Sequence, residues 1–190
     1  MSRNLESWSR PFRTPVLPLG KLGDWDSGMI LGASQAIDVG DEVWLYYAGA
    51  NYTHGAPHVY DATAAKPGTK PAESIGLATW QRDRFVSANG PAAGGMLTTV
   101  PLRFAGTRLE VNAVTKGKGE IRVELVDAAG RPLEGFRPSE PIVGDSLRHA
   151  VVFPGKADLA SLAGKPVCLR FHLRDAELYA FAFRSRPITP

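Results

Sequence analysis

The fold is decided by the stretch Glu42-Val43-Trp44-Leu45-Tyr46-Tyr47-Ala48, which is rich in aromatic, aliphatic and β-branched residues. Such residues are enriched in strands, so the stretch is predicted to be a β-strand. The earlier run Met29-Ile30-Leu31 is short and apolar, as expected of a buried strand. Turn-forming residues at Asp38–Asp41 separate the two runs. We therefore predict an antiparallel pair of strands.

The segment Gly23-Asp24-Trp25-Asp26-Ser27-Gly28, which precedes this pair, carries an indole, two carboxylates and a hydroxyl. Proteins that bind sugars use aromatic faces for the C–H side of the ring, and carboxylates or amides for its hydroxyls. The same residue types also form β-turns, with Asp as the cap and Trp as a core side chain. Both interpretations remain open from the sequence.

Further strands are predicted in the first half of the chain. Ser74–Trp80 is apolar, and Phe85–Ser87 has the composition of a short strand. Residues 25–88 would then supply about four short strands joined as a meander, which is the content of one propeller blade. The long connection from Gly49 to Glu73 indicates a functional or mobile loop, and it carries Asn51, His54 and His58.

The second half of the chain alternates between apolar and polar residues, most clearly at 109–113, 121–125 and 167–173. A period of two predicts strands with one buried face, and their spacing predicts a jelly-roll-like β-sandwich. The segment Pro91–Gly95 has the composition of a boundary, and Gly117-Lys118-Gly119 is predicted to be a turn. The predicted fold is all-β: a propeller-blade-like antiparallel sheet (residues 1–90, a partial β-propeller) followed by a β-sandwich domain (residues 91–190).

Composition argues against several classes of partner. The net charge is only +3 and the basic residues are scattered, unlike the basic stripes of nucleic-acid-binding proteins. No apolar run approaches the ~18 residues of a transmembrane helix, and the N-terminus lacks the apolar core of a signal peptide. The sequence as it stands predicts a cytoplasmic protein without nucleic-acid or membrane partners. If the chain is a fragment of a longer secreted protein, its location is unknown.

Cys168 is the single cysteine, so an intramolecular disulfide and a Cys-based zinc site are excluded. Its apolar, alternating surroundings predict a buried or half-buried thiol. The spacing of His, Asp and Glu residues resembles no metal site. We therefore predict no metal and no cofactor.

Asp24 and Asp26 are the candidate pair for glycoside hydrolysis, which needs two carboxyl groups about 5–10 Å apart. In a strand, residues two apart lie on one face, with their Cα atoms about 6.5–7 Å apart. In a turn they would not be aligned in this way. Asp26 is the one catalytic candidate, with ligand hydrogen bonding and turn capping as its alternative roles.

The order of these motifs resembles the C-terminal part of the five-bladed β-propeller glycoside hydrolases, in which a last blade is followed by a β-sandwich. The resemblance spans nearly the whole chain. It is carried by Arg13–Gly20, Gly23–Met29, Gly40–Gly49, Ile75–Thr79, Arg82–Ser87, Gly95–Thr99, Leu109–Ala113, Val123–Asp127, Gly135–Phe136, Gly144–Ser146 and Leu178–Phe181. The catalytic carboxylates of this family come mainly from earlier blades, and this chain has room for about one blade. The resemblance therefore implies a last blade plus sandwich without the catalytic centre.

The resemblance implies a carbohydrate-active fragment or accessory module that is not catalytic by itself. The alternatives are a carbohydrate-binding module and a structural domain that braces a propeller. A lone blade exposes two sheet edges and a flank, so self-association or a partner chain supplying further blades is expected. In similar propellers a last-blade histidine lies near the central axis, which implies that place for His54. The residues assigned to ligand binding are Asp24, Trp25, Asp26, Tyr47, Asn51 and His54.

Overall fold

The structure, a computed structural model, describes residues 4–10, 12–54, 70–156 and 158–185. It confirms the predicted all-β class, because its regular elements are antiparallel strands. The described residues contain no α-helix and only two short 3-10 helices, Pro154–Lys156 and Leu159–Leu162. The chain divides into two compact units, Met1–Gln81 and Arg82–Pro190.

The first unit contains a four-stranded sheet built around β3 (Glu42–Ala50), the strand that the sequence predicts most clearly. β1 (Met29–Gly32) and β2 (Ile37–Val39) lie end to end along one edge of β3. β4 (Glu73–Gln81) pairs with the other edge along its whole length. The predicted antiparallel pairing is therefore confirmed, although β1 and β2 share one edge and do not extend the meander.

The two faces of this first sheet differ in their surroundings. Val43, Tyr47 and Gly49 of β3 alternate with Trp44, Tyr46 and Ala48, so the two sets point to opposite faces. Val43 and Gly49 are buried, whereas Tyr46 and Ala48 are exposed. The face that carries Tyr47 is the one covered by the segment that precedes β1.

The second unit contains a five-stranded antiparallel sheet that curls into a half-barrel. Its long strands β7 (Arg108–Val126) and β9 (Cys168–Arg184) pair with each other. β8 (Asp145–Ala150) adds to β7, while β5 (Ala88–Gly90) and β6 (Gly95–Thr98) both pair with β9. The alternating runs of the sequence are strands here, but the structure joins them into fewer and longer ones.

The curl of the second sheet arises where the sequence predicts a turn. β7 runs through Gly117–Gly119 with a shift of register between Thr115 and Glu120, so the prediction of a turn there is wrong. Gly117 has a φ of +56°, and Asp175 on β9 has a φ of +42°. A Cβ on Gly119 would lie 2.3 Å from the Asp175 carbonyl oxygen, so only glycine permits this approach. The irregular residues bend both strands together.

The hydrophobic core of the second unit lies on the inner face of β7 and β9. Phe104 stacks on Phe183 with ring centroids 3.8 Å apart, and Phe136 meets Phe153 edge to face. Cys168 is buried, as predicted. Within this core cluster, apolar side chains with no exposed surface occur at Leu109, Val111, Ala113, Ile121, Val123, Leu125, Leu169 and Phe171. Period-two alternation correctly identifies these positions because burial on a strand follows the pleat.

Residues 82–90 depart from the prediction. Phe85–Ser87 is not a strand, and β5 follows it instead. β5 pairs with β9 at residues 176–178 and so belongs to the second sheet. The second unit accordingly begins at Arg82, earlier than the predicted division after residue 90. The edge of β9 that receives β5 is supplied by residues far along the chain, which a local pattern does not reveal.

Candidate functional site

The segment Gly23–Gly28 folds as consecutive turns and not as a strand. One Asp24 carboxylate oxygen accepts a hydrogen bond from the Lys21 backbone N–H at 2.8 Å, and the Asp24 N–H donates to the Lys21 carbonyl at 2.8 Å. The Ser27 hydroxyl donates to the Asp24 carbonyl at 2.8 Å. Asp24 therefore caps a turn, and the strand spacing that would align Asp24 with Asp26 does not apply.

Trp25, Asp26 and Tyr47 form one cluster on the covered face of the first sheet. The Tyr47 hydroxyl donates to Asp26 Oδ2 at 2.9 Å. The rings of Trp25 and Tyr47 stack with their centroids 5.6 Å apart and an interplanar angle of 15°. The structure thus brings together three of the residues that the sequence assigns to ligand binding, and it uses them to hold the turn on the sheet.

Glycines make room for this cluster. A Cβ on Gly49 would lie 2.7 Å from both Asp26 Cβ and Trp25 Cζ3. A Cβ on Gly76 would lie 2.4 Å from Tyr47 Cζ, so the Tyr47 ring covers the glycine opposite it on β4. An aromatic ring over a cross-strand glycine compensates for the missing side chain. The sheet surface is therefore shaped to receive Trp25 and Tyr47.

The electrostatics of the cluster favour a protonated phenol. Burial, the hydrogen bond to Asp26 and the negative charge of Asp26 all raise the pKa of Tyr47. Tyr47 therefore remains the hydrogen-bond donor to Asp26. The arrangement fixes the turn on the sheet, because Asp26 Oδ2 already accepts the hydrogen bond from Tyr47.

Asn51 is buried, with 2% of its surface exposed. Its Nδ2 donates to the Lys70 carbonyl at 2.9 Å, and its Oδ1 accepts from the Ala72 N–H at 2.9 Å. The Asn51 side chain therefore joins the two ends of the long connection through backbone groups. The sequence assigns Asn51 to ligand binding, whereas the structure uses both ends of its amide in hydrogen bonds within the chain.

His54 is exposed and lies in a turn after β3. The structure does not join it to the Trp25–Asp26–Tyr47 cluster, and its assignment to ligand binding stays a prediction. His58 falls in the connection, outside the described residues.

Two polar networks of the second unit were not anticipated from the sequence. Glu124 is buried and accepts a hydrogen bond from Arg170 Nη1 at 3.0 Å, and His172 Nε2 lies 3.0 Å from the same carboxylate oxygen. Glu124 and Arg170 are direct partners across β7 and β9. The alternation of charged residues along the two strands is the only sequence signal for this ion pair. The strand register is needed to show that Glu124 and Arg170 are partners.

The second network surrounds Arg84. Its Nε donates to Asn112 Oδ1 at 2.9 Å, its Nη2 lies 2.6 Å from Asp145 Oδ1, and its guanidinium carbon lies 5.1 Å from the Tyr179 ring centroid. The hydrogen bond from Arg84 lowers the pKa of Asp145. The Tyr179 hydroxyl donates to Glu177 at 2.5 Å. This network attaches the start of the second unit to its own sheet.

Comparison with protein-family models, with curated proteins and with solved structures found no match to this chain. In the part of the chain that the structure describes, no three His, Cys, Asp or Glu side chains are grouped as they would be around a metal ion. Across the same residues, no helix has the length and apolar character needed to cross a membrane.

Proposed function

We propose that this chain is a non-catalytic accessory module of a carbohydrate-active protein, and that its first sheet acts as a docking surface for another β-sheet. The observation that carries the proposal is an exposed apolar face on the first sheet. The carbohydrate context is supplied by the resemblance to the propeller glycoside hydrolases. Of the predicted alternatives, the structural or interaction domain is the one that this face supports.

The docking surface, called here the apolar face, consists of large side chains from all four strands of the first sheet. Their exposed fractions range from 39% for Val39 to 75% for Ile75. Together they expose roughly 600 Å², at the upper end of the largest apolar patches on typical monomers. The members are Leu31, Ile37, Val39, Tyr46, Ile75 and Leu77.

The strand register places these six side chains on one face. Leu31 pairs with Ala48, Ile75 also pairs with Ala48, and Leu77 pairs with Tyr46. Ile37 and Val39 pair with Trp44 and Glu42 of the same alternating set. Residues directly opposite one another point to the same face. Patches of this size commonly mark interaction sites.

The contacts of Asp24 and Asp26, the candidate carboxylate pair, support the non-catalytic part of the proposal. The Asp24 carboxylate caps its own turn, and the Asp26 carboxylate accepts from Tyr47. A retaining or inverting glycosidase needs one carboxyl group to donate a proton and another to attack the sugar or activate water. The hydrogen bonds of Asp24 and Asp26 instead hold the turn and attach it to the sheet.

The docking role is tested with an apolar fluorescent dye at about 0.1 µM protein, where complexes of micromolar affinity dissociate. The wild type should bind the dye, and Ile75→Lys should reduce this binding. Val100→Lys is the matched control, because Val100 is 74% exposed, nearly the same as Ile75, but lies outside the apolar face. Equal dye binding by all three proteins would contradict the docking surface.

The non-catalytic role is tested with panels of aryl glycosides and glycans. We expect no sugar release and no glycan binding by the wild type. Release that Asp26→Asn abolishes would make the protein a hydrolase. Glycan binding that Trp25→Ala abolishes would make it a carbohydrate-binding module.

A further inference from the structure

We propose that the partner of the apolar face is a second copy of this chain, stacked face to face about a two-fold axis. The inference rests on the docking role proposed above and names its occupant. Stacked β-sheets pack their side chains in a layer about 10 Å thick. A two-fold arrangement uses the same six side chains on both copies.

The area of the apolar face is sufficient for this arrangement. Two faces of roughly 600 Å² each would bury at most about 1,200 Å² in total, which reaches the lower end of the ~1,200–2,000 Å² of stable specific interfaces. If the apolar face packed against a polar surface, its apolar atoms would gain no apolar contacts. An identical face supplies them in matching number.

The charge distribution also permits self-stacking. The carboxylates that share the face are Glu42 and Glu73, which lie at opposite ends of the paired strands. Between them, every β3 and β4 residue on this face is uncharged. The indole N–H of Trp44 is already satisfied by Glu42 Oε2 at 2.7 Å. Two copies can therefore meet without placing like charges in the middle of the contact.

Large and small side chains lie side by side on the apolar face, so the side chains of two copies can interdigitate. One row across the sheet runs Leu31–Ala48–Ile75, with the small Ala48 between two large side chains. This row leaves a depression at Ala48, which is exposed. A large apolar side chain from an identical face can fill that depression, as interdigitating side chains do between stacked sheets. Ile75 has the most exposed side chain of the apolar face and is suited to this role.

Sedimentation of the full chain up to about 100 µM tests the proposal, since a dimer of micromolar affinity is mostly formed at that concentration. We expect a monomer–dimer equilibrium for the wild type. Ile75→Lys and Leu77→Lys should each raise the dissociation constant at least about tenfold, because a buried lysine leaves an unpaired charge in the contact. Val100→Lys should sediment like the wild type.

Circular dichroism on the same samples checks that each variant is folded. A monomeric wild type, a dimer unaffected by both apolar-face variants, or a dimer equally weakened by Val100→Lys would each overturn the second-copy proposal. If the wild type is monomeric but binds the dye through the apolar face, only the second copy is lost. If it neither associates nor binds the dye, the docking role fails as well.

Discussion

At the scale of single residues, the polar and aromatic side chains of Gly23–Gly28 attach this segment to the first sheet. Asp26 accepts from Tyr47, Trp25 stacks on the same ring, and Asp24 caps the turn. The residue types that suit a sugar pocket also suit the attachment of an irregular segment to a sheet. Polar groups near a sheet surface need partners wherever water is partly excluded, and here the chain supplies those partners itself.

Tyr47→Phe should lower the free energy of unfolding of the first unit by about 1 kcal/mol, the usual net value of one hydrogen bond. Trp fluorescence during urea unfolding reports on this unit, since Trp8, Trp25, Trp44 and Trp80 all lie within residues 1–81. The control is Tyr46→Phe on the opposite, exposed face, which should change the unfolding free energy little. An equal effect of the two substitutions would contradict the view that the Tyr47–Asp26 hydrogen bond holds Gly23–Gly28 on the sheet.

Tyr179 should make the second unit sensitive to alkali. Burial, the hydrogen bond to Glu177 and the charge of Glu177 raise the pKa of Tyr179 from its ordinary value of 10.0 to about 12. Because the folded pKa is raised, this contribution to stability is fully present below pH 10. It is lost progressively as the pH rises from 10 towards about 12.

The phenolate absorbance of Tyr179 can be isolated as the difference between the wild type and Tyr179→Phe during a pH titration. We expect a midpoint well above that of a free tyrosine, and a smaller alkaline loss of stability in Tyr179→Phe than in the wild type. A titration with the midpoint of an exposed tyrosine would show that the phenol is not held by Glu177.

At the scale of elements, glycines determine how closely the strands and their covering segments approach. Gly49 and Gly76 admit the cluster on the first sheet, and Gly119 admits the backbone of β9 where the second sheet bends. At these positions a methyl group would overlap atoms that have little room to move. The shape of both sheets therefore depends on the absence of side chains as much as on their presence.

Gly76→Ala should destabilise the first unit by about 1–3 kcal/mol, as expected of overpacking, because its Cβ would overlap the Tyr47 ring. The matched control is Gly32→Ala on β1, where the nearest atom to the added Cβ is Leu45 Cδ2 at 3.9 Å. Gly32→Ala should be neutral or slightly stabilising. Urea unfolding followed by Trp fluorescence compares them, and equal stabilities would mean that the Tyr47 ring moves aside without cost.

At the scale of the whole molecule, the two units differ in how much core each contains. The buried core cluster lies between Phe104 and Leu178, entirely within the second unit. The buried apolar side chains of the first unit are few among the described residues: Val43, Ala50 and Tyr52. A small unit with so little buried apolar surface gains little stability from the hydrophobic effect.

We therefore expect residues 82–190, expressed alone, to unfold cooperatively when followed by circular dichroism. Residues 1–81 alone should unfold at a lower temperature than residues 82–190, since their core is small. Addition of the second fragment to the first serves as a control for stabilisation by contact. An equal or higher unfolding temperature of residues 1–81 would contradict this division of stability.

Much of the fold follows from local sequence. The strand β3, the all-β class, the buried positions of β7 and β9 and the burial of Cys168 were predicted correctly. These features depend on residue type and period, which act over a few neighbouring positions. The turn-forming composition of Gly23–Gly28 also identified the interpretation that the structure supports, although the sequence left it open beside the sugar-binding one.

Only the tertiary structure decided how these local features are used. The sequence predicts a turn at Gly117–Gly119, but β9 supplies partners on both sides of it and makes β7 one bent strand. The carboxylate of Asp26 meets Tyr47, which lies 21 residues away, and Asn51 meets Ala72 at the same separation. Which groups satisfy a carboxylate or an amide depends on contacts between distant segments. A local pattern determines that a residue needs a partner, whereas the folded chain determines which partner it receives.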